Sequence, residues 1–182
     1  ISGVGTKRLE IEGVDELHGA EFDVPPDRIE AGTYMAAAAI TRGNVLVQGA
    51  RRDHLGAVIS AMEDMGISIV DERGGLRVYA DARPRGVDLT TGTYPGLPTD
   101  MQAQMMALLS VAQGASIITE RIFPDRFMHV MELNRMGANI RKENATAIIV
   151  GAERLSGAQV TATDLRASAA LVVAGLAATH AT

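Results

Sequence analysis

The sequence predicts an α/β fold: an inside-out barrel of β-α-β-α-β-β repeats, with helices at the centre and sheets outside. Three observations carry that expectation. MEDMGISI (62–69) and LNRMGANI (133–140) stand 71 residues apart, and at the same offset Gly43 meets Gly114, 44–47 meets 115–118 and Val78 meets Ile149. One offset kept over so long a stretch marks an internal repeat. Second, three stretches open on Asp and then turn apolar or small on every side: 27–40, 100–113 and 164–177. A helix without a polar face is buried all round. Third, each unit closes on two β-rich runs joined by a polar turn, ERGG (72–75) or KENA (142–145).

Element by element, a mostly apolar helix is expected over 27–41 and again over 100–113. Strands follow at 44–48 and 115–120. Amphipathic helices come next, at 53–65 and 126–136; Leu55, Val58, Ile59 and Met62 share the i, i+3, i+4, i+7 spacing of one buried face. Strand pairs close the units at 67–71 with 75–80, and at 138–142 with 145–150. Further strands near 7–12, 20–24, 86–89 and 158–161 fill the joins, where 13–32 and 151–169 echo each other with one residue of slippage. Met105, Met106, Met128, Met131 and Met136 read as core filler. The repeats run approximately 20–80, 86–150 and 158–182, the third incomplete, all within one domain over 1–182. The chain opens and closes mid-pattern, so the expectation is a truncated domain from a larger protein. Apolar helix faces and sheet edges left uncovered in such a fragment favour self-association.

Composition narrows the function. Of 182 residues 47% are hydrophobic and only 3% aromatic, so Ala, Val, Ile, Leu and Met must build the core. The absence of Cys excludes disulfides, thiolate metal sites and a cysteine nucleophile. His18, His54, His129 and His180 are scattered without ligand spacing, so no metal is expected. A net charge of −5 without any basic run argues against nucleic acid, and no stretch has the length and flanks of a membrane span. A cytoplasmic protein is the default. Of 17 basic residues only Lys7 and Lys142 are lysines; this fits genome composition, or planar recognition of phosphate and carboxylate.

The acids heading the helices invite two readings. Asp27, Asp100 and Asp164 can each cap a helix and oppose its dipole. Three clustered N-termini also form a natural anion site, and Arg28 and Arg166 lie beside them. An Asp held there keeps a low pKa. Arg126 can likewise be read as an N-terminal Arg paired with Asp125. The residues alone leave these alternatives open.

PDRIEAGTYMAAAAI (26–40), PTDMQAQ (98–104), DRFMHVMELNRMGA (125–138) and RLSGAQVTATDLRASAALVVAGL (154–176) closely resemble the UDP-N-acetylglucosamine enolpyruvyl transferases, relatives of the enolpyruvylshikimate-phosphate synthases. The resemblance covers almost the whole chain. It implies two similar domains of three such units in the whole enzyme, with the site in the cleft between them. The implied reaction moves the enolpyruvyl group of phosphoenolpyruvate to the 3′-hydroxyl of UDP-N-acetylglucosamine and releases phosphate. It serves peptidoglycan synthesis and uses no metal or organic cofactor.

The resemblance also implies roles. Asp100 contacts the sugar 3′-hydroxyl and removes its proton. Asp164 lies near the cationic centre formed when the enol is protonated. Ile122 touches the sugar nucleotide through its backbone, with Phe123 on the same wall. Arg126 and Arg166 hold the carboxylate derived from phosphoenolpyruvate, and Arg28, with Asp27, is assigned to the domain junction. The family's proton donor, its lysine-asparagine pair and a further arginine match no residue here, so the chain by itself is expected to be inactive. A non-catalytic module and a shikimate-pathway transferase are the alternatives.

Overall fold

The structure is a computed structural model describing residues 1–182. The first unit starts with helix α1 (Arg28–Ile40), whose Asp27 cap accepts from the amides of Ile29 and Glu30 at 2.7 and 3.2 Å. Strand β1 (Asn44–Gln48) follows, then a 3-10 turn (Arg52–His54) leading into α2 (Gly56–Asp64). Leu55, Val58, Ile59 and Met62 are buried together, the face that their spacing predicts. Hairpin β2 (Ser68–Glu72) and β3 (Gly75–Tyr79) closes the unit. The second unit has β4 (Leu89–Thr90), a 3-10 turn (Thr99–Met101), α3 (Gln102–Leu109), β5 (Ala115–Thr119), α4 (His129–Arg135), β6 (Asn139–Glu143) and β7 (Thr146–Val150). Then come β8 (Leu155–Ser156), α5 (Leu165–Gly175) and β9 (Ala178–Thr179).

The pairing repeats along with the letters. In the first sheet, ordered β1-β3-β2, Asn44 faces Tyr79 and Ser68 faces Tyr79 from the other side. In the second, ordered β4-β5-β7-β6, Ala115 and Asn139 face Val150 in the same way. Each second-unit residue lies 71 positions after its counterpart. Both hairpin turns need a left-handed residue; Gly74 supplies it at φ 91 and Asn144 at φ 52. The small third sheet pairs β8 with β9 in parallel, as β4 pairs with β5.

The helices occupy the middle. Every residue of α3 is buried, from Gln102 to Leu109. Burying each Leu or Met side chain contributes on the order of 1.5–3 kcal/mol, so this helix anchors the core. Its neighbours depart from the all-round burial expected of them. α1 leaves Tyr34 58% exposed, and α5 leaves Leu165 and Val172 at 74 and 67%, with Leu176 just past its end at 54%. The inward face of α5 is made of Ala167, Ala170, Leu171, Val173 and Ala174. The three helices run side by side in one direction. Gln104 Nε2 donates to Thr33 Oγ1 at 3.0 Å, and a Cβ on Gly32 would meet the Met101 sulfur at 2.8 Å. A side chain at position 32 would have to displace the end of the Met101 side chain, which packs against this glycine.

Several expectations need correction. Over 7–12 there is only an isolated bridge, Ser2 with Glu10, and 20–24 forms no strand. Alternation alone does not make a strand without a ladder partner, and the outer edge of β1 is unpaired. Of 86–89, only Leu89 enters β4; nothing forms at 158–161, since that pairing falls earlier, at β8. The helix expected from 126 begins at His129, which leaves Arg126 in the preceding turn with its amide on Phe123 O at 2.9 Å. Met105, Met106 and Met136 fill the core, but Met128, just before α4, and Met131, on its outward face, are 49 and 69% exposed. No helix is long and apolar enough to cross a membrane.

Arg83 closes the far end of the helical centre. Its Nε donates to Val111 O at 2.7 Å, and Nη2 reaches Ala112 O, Gly151 O and Ala152 O at 2.9, 3.1 and 2.9 Å. A fixed planar fork thus satisfies carbonyls past the end of α3, where the helix dipole is negative. Arg83→Ala is expected to lower stability by about 2 kcal/mol in urea denaturation. Arg83→Lys recovers only part, because an ammonium cannot serve both directions.

Candidate active site

The turn Thr99–Met101 lifts Asp100 off the head of α3. Here the structure separates the three acids that the sequence treats alike. Asp27 and Asp164 cap their helices; Asp164 Oδ1 accepts from the amides of Arg166 and Ala167 at 2.7 and 2.9 Å. Asp100 caps nothing, and its side chain binds two arginines instead. Oδ1 lies 2.7 Å from Arg126 Nη1, and Oδ2 lies 3.1 Å from Arg166 Nη2. Arg126 reaches it from the turn before α4, and Arg166 from the first turn of α5. The Asp125 carboxylate instead faces Lys142 at 3.5 Å.

These ions are partly shielded, with side-chain exposure of 37% for Asp100 and 24% for each arginine. Burial pushes the Asp100 carboxyl up, but hydrogen bonds and charge from Arg126 and Arg166 outweigh it and hold the group below the usual aspartate range. The Ala167 amide leads in lowering Asp164; burial opposes, and Arg166 N–H, Arg126 and His129 add to the lowering. Asp100 is therefore a poor base while both arginines hold it.

Ile122 and Phe123 form the wall beside this cluster. The Phe123 ring is 56% exposed and lies 5.5 Å from the Arg126 guanidinium carbon. Phe123, Pro124, Asp125, Arg126 and Met128 line an open hollow of ≈ 520 Å³. Arg28 does not join the cluster; its guanidinium stacks over Tyr94 at 5.7 Å. Asp27 lines a separate groove between α1 and β1.

The sequence reading passes over one residue that shapes this wall. Glu120 is 1% exposed and binds the Thr91 and Thr99 hydroxyls at 2.6 and 2.9 Å. It also accepts from the amides of Ile122 and Phe123 at 2.7 and 3.1 Å. The one sequence signal is an acid placed directly after the apolar strand ASIIT (115–119).

The family described as EPSP synthase (3-phosphoshikimate 1-carboxyvinyltransferase) matches residues 1–182. The chain belongs to the EPSP synthase family. Within that family it is 59% identical over 178 residues to a UDP-N-acetylglucosamine 1-carboxyvinyltransferase of Gluconacetobacter diazotrophicus, covering 98% of this chain and 42% of that protein. It is 58% identical over 178 residues to the protein of that name from Gluconobacter oxydans, covering 98% and 43%. The chain thus spans less than half the length of these relatives. Among solved members of the EPSP synthase fold, the enolpyruvyl transferase NikO from Streptomyces tendae aligns with a TM-score of 0.73 at 24% identity, covering 84% of this chain and 37% of that one. EPSP synthase from Acinetobacter baumannii aligns at 0.63 and 22%, covering 86% and 38%. At those identities the two structures speak to the fold alone.

Proposed function

We propose that this chain forms one wall of an enolpyruvyl transferase site acting on UDP-N-acetylglucosamine and phosphoenolpyruvate in peptidoglycan synthesis, in the cytoplasm. One observation carries the reading: Asp100 is held between Arg126 and Arg166 at the end where three helix N-termini gather. Such an end attracts anions, and the two guanidinium groups suit a carboxylate or phosphate. The names of the relatives support the sugar nucleotide as acceptor.

The ion cluster gives the reading a mechanism. An incoming phosphoenolpyruvate carboxylate competes with Asp100 for Arg126 and Arg166. As the arginines leave, the influences that lower the Asp100 pKa go with them, and the burial that raises it stays. Asp100 becomes a better base for the sugar 3′-hydroxyl only once the second substrate is bound. Asp164, anionic and tied to the head of α5, offers negative charge to the cationic centre of the protonated enol. Ile122 and Phe123 meet the nucleotide at the open hollow.

Calorimetric titration of the chain with UDP-N-acetylglucosamine tests this, with shikimate 3-phosphate as the competing ligand. Binding of the uridine nucleotide is expected, weakened about tenfold by Asp100→Asn through loss of a charged hydrogen bond. Phosphoenolpyruvate, freed from competition with Asp100, is expected to bind that variant no less tightly. Preference for shikimate 3-phosphate would move the assignment to the shikimate branch. Binding of neither ligand at millimolar concentration would remove the substrate assignment from this chain.

A further inference from the structure

Glu120 stands just past the end of β5, buried and bound only to neutral donors. Its Oε1 accepts from the Thr91 hydroxyl and the amides of Ile122 and Phe123. Its Oε2 accepts from the Thr99 hydroxyl. Thr99 immediately precedes Asp100, and its Oγ1 also accepts from Arg126 Nη1 at 3.3 Å. One carboxylate therefore reaches three segments: the end of β4, the 121–123 turn and the turn bearing Asp100. Through a single hydroxyl it touches both the residue before Asp100 and the arginine paired with it.

A buried carboxylate without a cation is costly, and only several well-placed donors offset that. Plain stability is served as well by apolar residues of the same volume. A neutral glutamine would not reproduce the arrangement. Backbone amides cannot turn away, so the glutamine oxygen must take the Oε1 position. Its nitrogen then faces Thr99 and competes with Arg126 for the same oxygen.

We infer that Glu120 is a positioning residue that sets the Asp100–Arg126 pair against the Ile122–Phe123 wall. It acts through Thr99 and through two amides and touches no substrate. Its geometric role rests on the ion cluster; only its value to catalysis rests on the transferase reading above.

The test follows the Asp100 carboxyl by carbon NMR across pH in the chain as it stands, beside Glu120→Gln, Glu120→Ala and Thr99→Val. Loosening the Asp100–Arg126 pair removes a lowering influence, so Asp100 is expected to titrate at higher pH in all three variants. Amide exchange at Ile122 and Phe123 is expected to quicken about ten- to hundredfold in Glu120→Ala, and to stay near the parent rate in Thr99→Val. That split separates the relay to Asp100 from the hold on the wall. If Glu120→Ala does not fold, Glu120→Gln and Thr99→Val still decide the matter. Folded variants in which Asp100 titrates where it does in the parent would overturn the inference. Ligand titration reads the substrate assignment separately, so a failure there leaves the Glu120 result standing.

Discussion

Acidifying the protein from pH 7 to pH 4 is expected to cost the fold about 3 kcal/mol through His129 alone. His129 opens α4, is 2% exposed, and stacks on Phe127 with ring centroids 6.4 Å apart. Its Nε2 is buried without a partner. Burial is the main cause that pushes its pKa from 6.5 to about 4; Asp164 opposes this and Arg126 adds to it. The unfolded chain therefore takes up a proton near pH 6.5, and the folded one does not until about pH 4. Between those values the unfolded state binds more protons, so stability falls as pH falls; above them His129 contributes no slope. Urea midpoints taken from pH 7 to pH 4 check this, with His129→Phe expected to lack the decline. Equal declines in both proteins would show that the ring is not excluded from water. Asp100 and Asp164 act in another window. Their folded pKa values lie below the ordinary 3.8, so their contribution is complete above that value and is lost as pH falls through the lowered ones.

Leu108→Ala is expected to cost about 3–5 kcal/mol. Leu108 is 0% exposed on the one helix buried on all sides, so truncation loses transfer free energy and leaves a cavity that the surrounding helices cannot collapse into. Leu165→Ala, on the open face of α5, is expected to change stability by no more than about 0.5 kcal/mol, since that side chain is 74% exposed. Denaturant unfolding of the two variants is the check. A cost for Leu108→Ala as small as that for Leu165→Ala would place α3 at the surface.

The contrast between those leucines shows what the letters reveal. α3 carries no charge from Gln102 to Leu109, and burial follows. α5 is apolar or small too apart from Arg166, yet it turns Leu171 and Val173 inward and leaves Leu165 and Val172 exposed, a difference that side-chain polarity does not reveal. The shared strand register was legible because MEDMGISI and LNRMGANI keep their spacing. The strands at the joins were not, because a strand exists by virtue of a partner that local sequence does not name. Asp100 shows the same limit. Whether an Asp caps or pairs depends on a 3-10 turn and on two arginines at 26 and 66 residues' remove. The sequence places Arg166 beside a helix N-terminus and the family resemblance adds Arg126; the geometry shows that both grip the same carboxylate. Arg28 stands beside the Asp27 cap in the sequence, and in the structure its guanidinium stacks over the Tyr94 ring.

Helices that lie side by side in one direction cannot be joined by short turns, and this sets the order in which the molecule assembles. The bond from Gln104 to Thr33 spans 71 residues, and the one from Arg166 to Asp100 spans 66. Hairpins close within microseconds, but long loops must pay their closure entropy before any reward arrives. Such topologies refold in milliseconds to seconds. In a stopped-flow experiment, ellipticity would return well before the Asp100–Arg126–Arg166 cluster forms, because that cluster is among the last features the chain can assemble.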